Sequence, residues 1–276
     1  MDRKVIFLDI DGTLTEPGSN IPPESALNAV KAAQKKGHYV FLCTGRNYQM
    51  LSPLLHYGFD GVIASSGGYI KYQDKILFDC PMSEVQKKKA MDTLKENGIF
   101  RTVECLDGSF TDEGFKEFLR ENAGEGGNSE LLRWRLQIEK SLGILPMEQY
   151  QGQPVYKIVF MSKDMESLEN PIEILKNEFS FCIQEPDSYG FVNGELVNRK
   201  FDKGKGVGRV SRYLKIPIQN TIAFGDSMND KEMIEAAGIG VCMENGSSCL
   251  KKISDYVCAA VKEDGICRAF EKFGLI

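Results

Sequence analysis

The first apolar run of the chain, Val5–Leu8, stops at two aspartates one residue apart, Asp9 and Asp11, with Gly12 and Thr13 directly behind them. Next, PPESALNAVKAAQKKG sets Ala26, Ala29, Val30 and Ala33 on one helical face and ends at Gly37, a C-terminal stop. HYVFLCTGR predicts a second buried strand, Tyr48 to Tyr57 a helix, GVIASSGG a third strand and YIKYQDKILFDC a hairpin. Near-continuous apolar strands alternating with helices are the pattern of a parallel sheet covered on both faces. From about Met82 to Ser188 the texture changes. The helices SEVQKKKAMDTLKENG and NSELLRWRLQIEKSLG alternate there with short strands such as FRTVEC and VYKIVFMS, and a short loop holds GEGG, Gly124 to Gly127. The first pattern then returns in KGKGVGRVSRYLKI, TIAFGDS, NDKEMIEAAG and GIGVCM.

The expected fold is therefore α/β, a doubly wound parallel-sheet core of residues 1–82 and 189–276, with an α+β domain of residues 83–188 inserted in its middle. A length of 276 residues suits two folding units better than one. With 42% hydrophobic and 26% charged residues, a packed core is expected. A net charge of −5 leaves no electrostatic footprint for nucleic acid, and the KKK run at Lys87 to Lys89 reads as a solvated helix face. The N-terminal apolar run is too short for a signal peptide and no run approaches about 18 apolar residues, so no membrane partner and a cytosolic location are expected. Eight cysteines without a CxxC pair read as free thiols, and the two histidines, His38 and His56, are too isolated for a metal site.

In a doubly wound sheet, ligands bind beyond the carboxyl ends of the strands. Four ends carry polar residues: Asp9 and Asp11 after the first strand, Thr44 after the second, Ser65 and Ser66 after the third, and Asp226 with Asn229 and Asp230 after TIAFG. Carboxylates converging at one edge repel one another unless a cation lies between them, and hard oxygen ligands select magnesium. Period-two spacing puts Asp9 and Asp11 on one side of an extended chain, where one can attack phosphorus and the other serve the leaving group and water.

DIDGT (Asp9 to Thr13), CTGR (Cys43 to Arg46), KGKG (Lys203 to Gly206) and GDSMND (Gly225 to Asp230), in that order, resemble the four motifs of the haloacid dehalogenase superfamily of phosphohydrolases. The tail GIGVCMENGSSCLKKISDYVC resembles its Cof-type sugar-phosphatase branch, whose cap domain is inserted between the second and third motifs. The resemblance implies a Rossmann-like core, Asp9 as nucleophile and Asp11 as general acid and base. Magnesium would be held by the Asp9 carboxylate, the Asp11 carbonyl and Asp226. Thr44, the Gly45 amide, Lys203 and Asn229 would bind the phosphoryl group, with Asp230 behind them. Where many Cof-type members have Asn-Gly after the third strand, this chain has SSGG at Ser65 to Gly68.

Plainer roles exist for several of these residues. An aspartate after a strand is commonly a turn or cap residue, and KGKG could be a lysine loop, although a lysine at a helix start opposes the macrodipole. Arg133 and Arg135 in RWR read as surface salt-bridge partners beside a buried Trp134 rather than as a phosphate grip. The expected function is a magnesium-dependent phosphatase of small phosphorylated metabolites. The alternatives are a phosphotransferase or mutase, or a non-catalytic phosphometabolite-binding protein; a P-type pump's phosphorylation domain is disfavoured by Ile10, where its motif has lysine.

Overall fold

The fold was described from a computed structural model, which describes residues 2–115, 117, 144–183 and 192–276. The chain forms β1 (Val5–Leu8), α1 (Glu24–Lys35), β2 (Tyr39–Cys43), α2 (Ser52–Leu55), β3 (Gly61–Ala64), β4 (Tyr69–Tyr72) and β5 (Lys75–Asp79). It continues through α3 (Glu84–Glu96), β6 (Phe100–Cys105), β7 (Ser109–Thr111), β8 (Ile144–Pro146), β9 (Val155–Ser162), α4 (Glu166–Leu175), β10 (Phe179–Ile183) and β11 (Val192–Asn198). It closes with α5 (Lys203–Leu214), β12 (Thr221–Gly225), α6 (Lys231–Ala236), β13 (Ile239–Met243), α7 (Ser248–Ile253), β14 (Tyr256–Cys258) and α8 (Gly265–Lys272). Two compact units result: Met1–Arg46, Leu51–Asp79 and Phe201–Ile276 form one, Asn47–Met50 and Cys80–Lys200 the other.

The first unit is built on a sheet of order β14-β13-β12-β1-β2-β3-β4-β5, parallel from β14 to β3, with the β4–β5 hairpin added antiparallel. Its strands read as unbroken apolar runs because both faces are covered. Val5 and Phe7 pack with Val207 and Val210 of α5 and with Met233 of α6, while Phe224 meets Phe270 of α8. The Rossmann-like arrangement follows from that double burial.

The second unit carries a sheet of order β10-β11-β9-β6-β7-β8. Val103, Ile158, Phe160 and Leu196 face a core shared with Ala90 and Leu94 of α3 and with Leu168 and Leu175 of α4. β11 pairs along its length with β9 and β10. Residues 192–198 therefore belong to this sheet, not to the core sheet to which the sequence assigned everything from 189 onward. The helix expected over Tyr48 to Tyr57 shortens to a 3-10 turn, Gln49–Leu51, followed by α2. The segments containing GEGG and RWR lie outside the described residues. The lysines of KKK make surface ion pairs, Lys88 with Asp92 and Lys89 with Glu178. All eight cysteines are free thiols, and no helix among the described residues is long and apolar enough to cross a membrane.

Candidate active site

Strand order alone puts the candidate residues side by side. β1 lies between β2 and β12, with Leu8 opposite Leu42 on one side and Phe224 on the other. Asp9 is thus flanked by the chain leading to Thr44 and by the chain leading to Asp226, and its N–H donates to the Phe224 carbonyl at 3.0 Å. This is the point where the strand order reverses, the usual ligand position of such sheets.

Beyond Leu8 the chain does not stay extended. The Ile10 carbonyl accepts from Thr13, Leu14 and Thr15 N–H groups at 2.9–3.2 Å, so the segment curls. Gly12, at φ +85°, turns in the left-handed region, and its Cα is pressed so close to Asp226 that a Cβ would lie 2.5 Å from a carboxylate oxygen. Thr13 Oγ1 donates to Asp226 Oδ1 at 3.1 Å. Because of the curl, period-two spacing no longer governs direction. Asp11 turns to Arg46, whose Nε and Nη2 donate to its two oxygens at 2.7 and 2.6 Å. Gly18 N–H adds a third donor at 2.8 Å. Arg46, itself buried and bound also to Asn20 and the Ser19 carbonyl, fixes the direction of the Asp11 carboxylate.

Lys203 opens α5 directly after the N-cap Asp202. It is fully buried, and its Nζ donates to Asp9 Oδ1 at 2.8 Å and to Asp230 Oδ1 at 2.6 Å. Burial works to lower its pKa, but Asp230 and Asp9 outweigh it and hold the ammonium well above its ordinary value. Gly204 lets α5 approach α6 closely, since a Cβ there would meet the Glu232 carbonyl at 2.2 Å. KGKG is thus a tightly packed helix start rather than a loop. Asp230 is wholly engaged: Oδ1 takes Lys203, and Oδ2 accepts the N–H groups of Asp226 and Ser227 at 3.0 and 3.2 Å.

Carboxylate oxygens of Asp9, Asp226 and Asp230 lie within 4.8 Å of one another, all buried. Burial first, then the negative charges of Asp230 and Asp226, raise the Asp9 pKa well above the ordinary carboxylate value, although Lys203 pulls the other way. One lysine does not balance three carboxylates, so the cluster fits a hard divalent cation, whose oxygen preference these donors match. The cluster shares Asp9 and Asp226 with the expected magnesium set, to which Asp11 contributes its backbone carbonyl, and it adds Asp230.

Thr44 is buried at the end of β2, with Oγ1 accepting the Arg46 N–H at 3.1 Å, and Gly45 lies between them. Asn229 is buried beside Ser227, accepting its hydroxyl at 2.7 Å. Ser65 and Ser66 both adopt left-handed φ, 49° and 56°, and their N–H groups donate to the Arg46 and Thr44 carbonyls at 2.8 and 3.0 Å. They brace the Thr44 loop from behind.

Arg46, Thr13 and Asn245, whose amide donates to the Gly12 carbonyl at 2.7 Å, had no role assigned from sequence. Arg46 and Thr13 stand inside the quoted motifs, so proximity was a usable signal. Asn245 stands inside the quoted tail GIGVCMENGSSCLKKISDYVC, after a strand.

Comparison with known proteins gives a family and similar folds. The model of the haloacid dehalogenase-like hydrolases matches residues 6–270. YkrA of Bacillus subtilis is 26% identical over 287 residues, covering all of both chains. The 5-amino-6-(5-phospho-D-ribitylamino)uracil phosphatase YwtE of Bacillus subtilis is 28% identical over 276 residues, covering 95% of each. In fold, the chain is similar to the phosphatase BT1666 of Bacteroides thetaiotaomicron, with a TM-score of 0.81 and 23% identity over 100% of this chain and 96% of that one.

Proposed function

From membership of the haloacid dehalogenase-like hydrolases, to which this chain belongs, we propose a magnesium-dependent phosphatase that hydrolyses small phosphorylated metabolites, sugar phosphates or similar, through an aspartyl phosphate. The observation that carries this reading is Asp9, held by Lys203 through Oδ1 and set against Asp226 and Asp230 at the strand ends. YwtE supports the substrate class, since its name gives a phosphorylated ribityl compound as its substrate. Asp9 and Asp226, with the Asp11 carbonyl, would hold the metal. When bound, magnesium would offset the negative charge that gathers on carboxylates and phosphoryl oxygens.

The phosphoryl group would rest on the Thr44 hydroxyl, the Gly45 N–H, Asn229 and Lys203. An oxygen of Asp9 forms a bond to phosphorus while the bond from phosphorus to the ester oxygen breaks. Asp11 gives its proton to the departing alkoxide, then takes one from water. That water forms the new bond to phosphorus, the bond to Asp9 breaks, and inorganic phosphate leaves. Lys203, steadied by Asp230, stays protonated throughout. For Asp11 to reach the ester oxygen it must leave the Arg46 fork.

The test is phosphate release from a panel of phosphorylated metabolites with no acceptor alcohol present. Wild-type protein should release phosphate and Asp9→Asn should not, because an amide is a poor nucleophile. Release only when an acceptor is added would make the protein a phosphotransferase. More than a few per cent of activity in Asp9→Asn would remove Asp9 from the role of nucleophile.

A further inference from the structure

The turn Glu244–Ser247, between β13 and α7, supplies none of the groups used above, yet it is bonded to both loops that bear the site. Asn245 Nδ2 donates to the Gly12 carbonyl at 2.7 Å. Two residues on, the Ser247 N–H donates to the Asp226 carbonyl at 2.7 Å. Gly246 closes the turn onto Met243, and a Cβ on it would come within 2.8 Å of the same Asp226 carbonyl.

An Asn-Gly pair after a strand reads at first as a turn chosen for left-handed backbone. The structure removes that explanation. Neither Asn245 nor Gly246 has positive φ, so the asparagine is not there for its conformational tolerance, and the glycine provides space rather than backbone freedom. What remains distinctive about Asn245 is its amide.

That amide acts on a weak point of the backbone. Gly12 has no side chain to limit it, and the two peptides that meet at its Cα are held from opposite ends. Its N–H, which belongs to the same peptide as the Asp11 carbonyl, donates to the Thr15 carbonyl at 2.8 Å. Its own carbonyl is held by Asn245. Once the second hold is released, the peptide of that carbonyl keeps only the longer bond from the Thr13 N–H to the Ile10 carbonyl, 3.2 Å, so it can pivot about Gly12 and turn the Asp11 carbonyl with it. The same movement shifts the Gly12 Cα against the Asp226 carboxylate.

We propose that Asn245 is a positioning residue of the metal site: by fixing the Gly12 carbonyl it sets the direction of the Asp11 carbonyl and its distance from Asp226. The inference rests on the magnesium reading given above. Partners one step behind metal ligands commonly govern affinity by 10–100-fold when removed, and this is the scale expected.

Metal-stripped full-length protein titrated calorimetrically with magnesium alone tests it. Asn245→Ala removes the hold. Asn245→Asp puts an acceptor against the Gly12 carbonyl but adds a negative charge that by itself would draw a cation. Both should weaken magnesium binding about tenfold or more, with the metal-free melting temperature within about 2 °C of wild type. Unchanged affinity in Asn245→Ala, or tighter binding in Asn245→Asp, overturns the proposal. A lower metal-free melting temperature with unchanged affinity also overturns it, because the turn would then serve stability alone. Wild-type protein that binds no magnesium sinks the metal reading itself, whereas wild-type binding matched by the variants sinks only the role of Asn245.

Discussion

Arg46 shows how one side chain redirects a site. A guanidinium matches a carboxylate through two parallel hydrogen bonds, and in a buried setting that fork fixes its partner's direction. In the motif CTGR the arginine is plainly visible, but its burial and its choice of Asp11 are not, because they depend on a curl after Leu8 that no spacing rule contains. Asp9, Lys203, Asp226 and Asp230 were legible for a simpler reason: each follows a strand or opens a helix at the sheet edge, so strand order brings them together. Two outcomes follow for the Arg46–Asp11 pair. Asp11→Asn should slow alkyl phosphates far more than aryl phosphates, whose leaving oxygen needs little protonation; equal losses in kcat for the two ester types would contradict its acid role. Arg46→Ala leaves the buried Asp11 without its cation and should cost about 3–5 kcal/mol in denaturant unfolding, and a loss under 1 kcal/mol would show that the fork is not a buried pair in solution.

Elements were read well where a periodic pattern met no breaker. β1, β2, β3, the β4–β5 hairpin, α1, α3 and α5 all form where apolar spacing placed them. α4 escaped notice because Pro171 stands inside it, and a proline removes an interior N–H and ordinarily ends a helix. β11 was credited to the wrong sheet since a strand's own sequence does not name its neighbour. On the face of the second sheet away from α3 and α4, Lys157 of β9 is wholly buried between Glu195 of β11, with which it pairs, and Glu104 of β6 at 3.3 Å. Lys157→Met should lower stability by about 3–5 kcal/mol by withdrawing the cation from two buried carboxylates, whereas a neutral result would mean that the glutamates find compensation elsewhere. Just before β2, His38 is buried and its Nδ1 accepts the Lys4 N–H at 3.1 Å. Burial first, then Lys4 and Lys36, lower its pKa below the ordinary 6.5. The unfolded chain therefore binds the proton more readily. Stability is complete above about pH 6.5 and falls as the pH drops from there toward the lowered folded value. His38→Gln, which cannot titrate, should lose less melting temperature than wild type between pH 7.5 and 5, and identical losses would exclude His38 as the source.

At the scale of the whole chain, the core sheet is assembled from two ends of the sequence with the second unit between them, and the alternation of texture along the chain was enough to reveal that. Where the two units divide was less legible, because pairing partners rather than composition decide it. If the acidic cluster holds magnesium, the ion adds stability by mass action. At a hundred times its dissociation constant it contributes about 2.7 kcal/mol, which raises the melting of the core by about 5–10 °C. Excess chelator should reverse the shift, and an unchanged transition would count against the cation. The pairing of β1 with β12 has a further consequence, for synthesis. Val5–Leu8 leaves the ribosome early, yet the strand that covers its free edge, Thr221–Gly225, follows about two hundred residues later. At about 5–20 residues per second, the nascent chain carries an apolar, unpaired strand edge for roughly 10–40 s. Throughout that interval Asp9 is present without Asp226, so the acidic cluster is incomplete and the exposed edge is open to aggregation until Thr221–Gly225 is made, which places the greatest demand for chaperone cover on the period in which the second unit is translated.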